Sequence, residues 1–271
     1  MRKLFSLIIP AILILSVFSI SIVAASAANE CNLWCKIVYL FTGKIPATGG
    51  IVKTITGMPT YNPSECPAGM VSYYEAENNA QDSVGTNNGQ NNGATYAAGK
   101  TGLGQAFIFD GGSYENIDLG NPASLQFGEN DPFSVFAWVY LNDLSGRVIV
   151  DRYTGNGGYF TWLLATQPDG TVGVYAPNQN AVAWYFAGPS SITAGTWYHV
   201  GFTYNGSTGI VYINGVAGTS STRPYSGSAK DTSTTTLIGG YSLSNMQSNN
   251  MNGKIDEVAI FNKSLSASEV D

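Results

Sequence analysis

Charge is scarce in this sequence. Its 271 residues hold 12 Lys and Arg against 18 Asp and Glu, giving a formal net charge of −6 and a charged fraction of 11%. No run of basic residues is available to neutralise phosphates, so nucleic acid is not an expected partner. The single histidine, His199, has no Ser, Cys or carboxylate at a spacing that would make it a general base. A structural place is expected for it, either partly buried with a hydrogen bond or exposed on a strand. Cysteine is equally sparse, and Cys31, Cys35 and Cys66 all fall early in the chain. With no fourth ligand beside them they do not make a zinc site. In an exported chain an odd count leaves one thiol unpaired. Cys31 and Cys35 could close only if their Cα atoms lie within about 7 Å, so Cys66 is an equally reasonable disulfide partner.

One long hydrophobic run is present, at the start. Arg2 and Lys3 precede an apolar stretch from Leu4 to Val23, and the small residues Ala24 to Ala28 follow. This is the layout of a secretory signal peptide, and the run also has the roughly 20 residues needed to cross a bilayer. Residues 1–27 are therefore read as a signal peptide or a membrane anchor, and the protein as secreted or on the cell surface. Residues 28–68 form a Cys-containing segment and linker, in which Pro59, Pro63 and Pro67 mark the boundary.

From residue 69 onward the texture changes to Gly, Ser, Thr, Asn and Tyr, and strand-sized apolar alternation recurs between turn clusters. Phe133 to Tyr140 reads as a central strand. Tyr159 to Leu164 and Thr171 to Tyr175 read as a hairpin around Pro168-Asp169-Gly170. Ser266, with Glu269 three residues later, reads as the N-cap of a short final helix. The most informative run is Thr196 to Val216, two alternating strands joined at Asn205-Gly206 and closed by Asn214-Gly215. Asn and Gly accept the positive φ that tight hairpins demand.

That run resembles a conserved hairpin of laminin-G-like domains. Three further blocks resemble the same family in the same order: Asn78 to Gly89, Gly104 to Gly111, and the closing Gly253-Lys254-Ile255-Asp256-Glu257-Val258. The resemblance covers residues 69–271. It implies an all-β fold, a concanavalin A-like jelly-roll sandwich of two antiparallel sheets. Fold is not function, because this scaffold hosts lectins, adhesins and enzymes alike.

Relatives that hydrolyse glycosidic bonds carry paired acids on one central strand, and no such spacing occurs here. Glu115 and Asp118 would face opposite sides of a strand, and Asp256 and Glu257 are adjacent. Catalysis is not expected. The resemblance instead implies a structural calcium, held by Asp82, Asp110 and Asp256 with Asn79 and Asn87 as second-rank ligands. Loops rich in Asp, Asn and Gly can supply the oxygens a hard cation requires, although the same residues also build Asx-turns. For carbohydrate, the available aromatics are Trp184, Tyr185, Tyr153 and Tyr159, near the amides of Asn156, Asn178, Gln179 and Asn180. The resulting expectation is a non-catalytic module that binds an extracellular glycan. The alternative is an adhesive surface protein that engages protein partners or assembles with itself, and a polysaccharide-cleaving enzyme ranks third.

Overall fold

The computed structural model describes residues 68–112, 114–154, 159–177, 183–241 and 249–270. The expectations for residues 1–27, for the following segment with Cys31, Cys35 and Cys66, and for Asn156, Asn178, Gln179 and Asn180 lie outside the described residues.

The described strands are, in chain order, β1 (Met70–Tyr74), β2 (Gln90–Asn92), β3 (Thr95–Ala98), β4 (Gln105–Asp110), β5 (Asn116–Asp118), β6 (Phe133–Leu141), β7 (Val148–Arg152), β8 (Tyr159–Phe160) and β9 (Trp162–Thr166). They continue as β10 (Thr171–Pro177), β11 (Ala183–Ser191), β12 (Trp197–Tyr204), β13 (Thr208–Ile213), β14 (Val216–Ala217), β15 (Ser221–Thr222), β16 (Ala229–Lys230), β17 (Leu237–Ile238) and β18 (Asn252–Phe261). One short helix, α1 (Ala267–Val270), follows. The first sheet runs β14-β13-β12-β6-β18-β4-β3, with β1 added to β18 and β15 to β13; the second runs β11-β10-β9-β7-β17-β5-β2. This is the expected jelly-roll sandwich, with β6 between β12 and β18.

Local chemistry explains the hairpins. Asn205 Oδ1 accepts the Ser207 and Thr208 N–H groups at 3.0 and 2.8 Å, closing the β12–β13 turn. Gly206 has φ +94°, and a Cβ there would lie 2.6 Å from the Asn130 carbonyl oxygen, so glycine is required twice over. Asn214 and Gly215 take φ +49° and +79°, the pair of left-handed residues that a two-residue hairpin between β13 and β14 needs. At the C-terminus, Glu269 reaches back to the Ser266 N–H at 2.9 Å. The expected β9–β10 hairpin forms, while Tyr159 and Phe160 separate from it as β8 and pair in parallel with β16.

Alternation then sorts the faces. On β12, Tyr198, Val200, Phe202 and Tyr204 point between the sheets and join Val135, Val139, Trp162, Val174 and Phe186 in one core. Phe133 is its aromatic hub: its ring centroid lies 4.5 Å from Phe127, 5.3 Å from Phe202, 5.4 Å from Trp162 and 5.6 Å from Tyr204. Two smaller clusters sit on the outer faces. Leu265 and Val270 cover Tyr73, Phe136 and Phe261 on the first sheet, while Val148, Leu163 and Tyr241 pack with Tyr153 and Tyr175 on the second.

Truncating this hub should be costly. Phe133→Ala is expected to lower stability by about 3–5 kcal/mol in urea unfolding, because it leaves a cavity between the two sheets. A loss below about 1 kcal/mol would show that Phe133 does not join them.

Candidate functional site

The five residues expected to share a calcium do not converge. Asp82 is buried, and its Oδ1 accepts N–H groups from Tyr73, Val84 and Gly85 while its Oδ2 accepts that of Asn87. Asn87 donates to Ser72 Oγ at 2.7 Å and accepts from Ser124 Oγ at 3.1 Å. Asn79 accepts the Gln81 N–H and donates to the Glu77 carbonyl, both at 2.8 Å. Asp110 accepts the Gly112 N–H at 2.7 Å within its own turn. Asp82, Asn79 and Asp110 thus serve nearby backbone N–H groups, and Asn87 joins two serine hydroxyls, because short amide and carboxyl side chains find local partners before any cation is needed.

Asp256 is different. It is fully buried; its Oδ2 accepts the Lys100 N–H at 2.9 Å, and its Oδ1 has no hydrogen-bond partner. Burial pushes this carboxyl up to about 7, with the charge of Glu77 adding to the effect. Glu77, which the sequence reading did not single out, accepts the Gln105 N–H at 3.1 Å. The two carboxylates sit over glycines of a single turn. A Cβ on Gly99 would lie 2.3 Å from Asp256 Oδ2, and one on Gly104 would lie 1.7 Å from Glu77 Oε1. Next along β18, Glu257 is buried at φ +54° with both carboxylate oxygens unpartnered, and burial pushes it up to about 8. Among the described residues no three Asp, Glu, His or Cys side chains form a metal cage, so a hard cation beside Glu77 and Asp256 would have to recruit backbone carbonyls. An orphaned buried oxygen next to a second acid, over a glycine cradle, fits such an ion.

His199 takes a structural place. Its ring lies 5.5 Å from Phe136 and 5.3 Å from Trp138 on the outer face of the first sheet, and its backbone N–H is held by Asn214 Oδ1 at 2.9 Å. Burial pushes the imidazole down to about 4.

The aromatic candidates divide. Trp184 is only 4% exposed, packs 4.6 Å from Phe186 and donates from Nε1 to Ser221 Oγ at 2.9 Å. The expectation that it forms a ligand platform is therefore corrected. Side chains alternate along β11, so Trp184 and Tyr185 must face opposite ways, and the larger apolar ring goes inward. Tyr185 is 41% exposed and stands on the outer face of the second sheet. Tyr159 is exposed on β8, alongside Ala229, away from that row.

Cross-strand register assembles the row. Tyr185 on β11 faces Tyr175 on β10, Tyr175 faces Leu163 on β9, and Leu163 faces Asp151 on β7. Tyr153 then meets Tyr175 at 5.7 Å and Tyr241 at 6.0 Å, both edge to face. Tyr185 lies flat because Gly173 has no side chain: a Cβ there would sit 2.4 Å from its hydroxyl. Beside these rings runs an open groove of about 440 Å³, lined by Gln167, Asp169, Thr171, Tyr175 and Tyr185. Burial raises the phenols of Tyr153, Tyr185 and Tyr241, helped respectively by Tyr175, Asp169 and Asp151, so they remain protonated donors at neutral pH. Flat rings with hydroxyl, amide and carboxylate groups at their edge are suited to a polar molecule that has an apolar face. Tyr175 and Tyr241 were not singled out from the sequence. Tyr175 was legible, since inward Val172 and Val174 alternate with it; Tyr241 was not, because it follows the two-residue β17.

Comparison with known proteins places this architecture. No curated protein matches the chain. Among solved structures, domain 4 of a GH43 extracellular arabinanase from Geobacillus stearothermophilus, in complex with arabinotriose, is 22% identical with a TM-score of 0.57, and the match covers 74% of this chain and 96% of that one. The binding domain of Paraclostridial Mosquitocidal Protein 1 is 18% identical with a TM-score of 0.59, covering 74% of this chain and 51% of that one. The ligand binding domain of botulinum neurotoxin serotype D, in complex with N-acetylneuraminic acid, is 17% identical with a TM-score of 0.56, over 74% of this chain and 49% of that one. These likenesses speak to the fold, and the chain spans about half the length of the two toxin domains. Residues 110–271, more than half of the sequence, match the family profile, and the chain belongs to the concanavalin A-like lectin/glucanases superfamily, in its laminin-G-like branch.

Proposed function

We propose that this domain is a non-catalytic glycan-binding module and that the tyrosine row of the second sheet is its binding face. One observation carries the reading: Tyr185 and Tyr175, with Tyr153 packed behind them, line one side of an open groove edged by Gln167, Asp169 and Thr171, on a sheet whose other large aromatics are buried. A pyranose or furanose would lay its C–H face on the rings, while Gln167, Asp169 and Thr171 met its hydroxyls. The likeness to an arabinotriose-bound domain and to a sialic acid-bound domain supports a saccharide ligand. Export belongs to the same reading, supported by the signal-like residues 1–27; among the described residues no helix is long and apolar enough to cross a membrane.

A structural calcium is part of the proposal, now placed beside Glu77 and Asp256. It would offset the burial of Asp256 and its repulsion by the charge of Glu77, and fix the Gly99–Gln105 turn against β18. The ion supplies charge neutralisation, and Asp256 would offer the oxygen that has no partner.

Two experiments test these readings. A glycan array followed by calorimetry should find a ligand whose affinity falls about tenfold in Tyr175→Ala or Tyr185→Ala, the scale of a lost aromatic stack. Binding that is untouched by both substitutions while the fold survives would exclude this face, and no hit at all would favour the self-assembling surface protein.

The second experiment follows melting temperature against pH, with chelator and with millimolar calcium. Asp256 and Glu257 hold their protons more tightly when folded than when unfolded, so the folded state binds more protons up to about pH 8 and loses stability as pH rises towards that value. His199 acts in the opposite sense only below about pH 6.5, so the window from about pH 6.5 to about pH 8 isolates the acids. In chelator the melting temperature should fall across that window. At the upper end calcium should restore several degrees, a shift that Asp256→Asn should abolish. Identical melting with and without calcium would remove the ion from the proposal.

A further inference from the structure

The groove beside the tyrosines has unlike ends. Val172 and Val174 of β10 point into the core, so Thr171, Gly173 and Tyr175 share the outer face. The Tyr175 ring stands at one end, and at the other the β9–β10 turn brings up Gln167 and Asp169, both exposed. Tyr185, 41% exposed, lies between them. A Cβ on Gly173 would lie 2.4 Å from its hydroxyl and 2.5 Å from Cζ and Cε2, so the phenol end of the ring rests over that glycine and is directed along β10 towards the turn. The Asp169 charge is felt there, adding to the burial that raises the Tyr185 phenol.

Asp169 is a carboxylate without a fixed counter-ion. Its Oδ1 accepts the Thr171 N–H at 2.9 Å, which holds the carboxyl below the usual carboxylate range, and among the described residues it enters no ion pair. The described cations are engaged elsewhere: Arg147 with Asp143, Arg223 with Glu129, Lys230 with Asp131 and Lys263 with Glu269. Lys100 and Lys254 lie against Trp138 and Tyr140 of the first sheet, and Arg152 donates to the Thr234 and Asp231 carbonyls. Residues 178–182, which join β10 to β11, contain no charged residue.

We propose that this groove takes saccharides that carry a protonated amine, with the ammonium held between the Tyr185 ring and the Asp169 carboxylate. The inference rests on the glycan-binding reading and adds the ligand class, amino sugars whose nitrogen is not acylated. The face of an aromatic ring is the negative side of its quadrupole and attracts a cation within about 6 Å of the ring centre. A carboxylate at the edge of that ring adds a charge-assisted hydrogen bond. The C–H face of the sugar would rest on Tyr175, and Gln167 and Thr171 would meet its hydroxyls. An N-acetylated sugar offers the same apolar face and hydroxyls without the charge, and a uronic acid would bring like charge to Asp169.

The test is calorimetry on the full chain with a glucosamine tetramer and its fully N-acetylated counterpart, at low salt and about pH 6, where an amine of this kind is protonated. The free-amine form should bind about tenfold more tightly, the combined scale of a cation–π contact and one ion pair at an exposed site. The gap should narrow in about 1 M salt, where screening is nearly complete. It should also narrow in Asp169→Asn, whose amide oxygen can still accept the Thr171 N–H, and in Tyr185→Leu, which keeps apolar surface but has no ring. Asp110→Asn removes an exposed charge from the first sheet and should leave the gap unchanged. A gap reduced equally by Asp169→Asn and Asp110→Asn would assign the preference to the net negative charge of the chain and overturn the inference. A gap indifferent to both Asp169→Asn and Tyr185→Leu would overturn it as well. Equal affinities that are lost in Tyr175→Ala, or binding confined to a sugar without nitrogen and lost in the same variant, would overturn the ligand class while leaving the binding face standing. Failure to bind any saccharide, or binding indifferent to Tyr175→Ala, would overturn the binding face itself, and the ligand class with it.

Discussion

The sandwich depends on the contact between its sheets at Phe133. From β6 this ring touches Phe202 and Tyr204 on the neighbouring strand of its own sheet and Trp162 on the other. Close-packed rings at 5 to 6 Å hold the sheets at a set separation and in a set phase. That phase determines which alternate residues on β9, β10 and β11 point inward. With Trp162, Val174, Trp184 and Phe186 committed to the core, Leu163, Tyr175 and Tyr185 are left on the outer surface. The candidate binding face is thus the complement of the core, residue by residue.

Buried polar groups in this domain fall into two kinds. Arg152 is fully buried, yet its guanidinium reaches carbonyls of Thr234 and Asp231, tying the loop before β17 to β7. Asp82 likewise gathers four backbone N–H groups and holds its loop against β1. Removing either would leave unsatisfied backbone groups inside the protein, a loss larger than a surface ion pair brings. Asp256 and Glu257 are of the other kind. They are buried with oxygens unpartnered, at a bulge in β18 where Glu257 adopts a left-handed conformation uncommon for a residue with a side chain. Buried groups of this sort mark where a fold keeps an expensive feature, and an ion beside Glu77 and Asp256 is the chemistry that would offset it.

Arg152 points into the core, while its neighbour Asp151 is buried on the opposite side of β7 in register with Leu163, and the Asp151 charge acts on the Arg152 guanidinium. Arg147, Arg223 and Lys230 are held in ion pairs with Asp143, Glu129 and Asp131.

The sequence by itself determined the strands, the tight turns and the family. Asn205-Gly206 and Asn214-Gly215 dictate hairpins because few other residues accept their φ values, and the period-two pattern of β6, β10 and β12 can be satisfied only by half-buried strands. The final Ser266–Glu269 cap was legible for the same reason, since it depends on neighbours in sequence. What only the tertiary structure decided was direction and company. Alternation states that Trp184 and Tyr185 oppose one another but not which faces water; Phe186 and Tyr204 settle that by packing on Trp184. Asp82, Asp110 and Asp256 are alike as letters, yet their roles diverge because their neighbours come from distant strands: Tyr73 for Asp82, Lys100 and Glu77 for Asp256. Tyr153, Tyr175 and Tyr241 meet for the same reason. Backbone preferences act on consecutive residues, whereas a site is made by register between strands far apart in the chain, and register is set by the packing of the whole core.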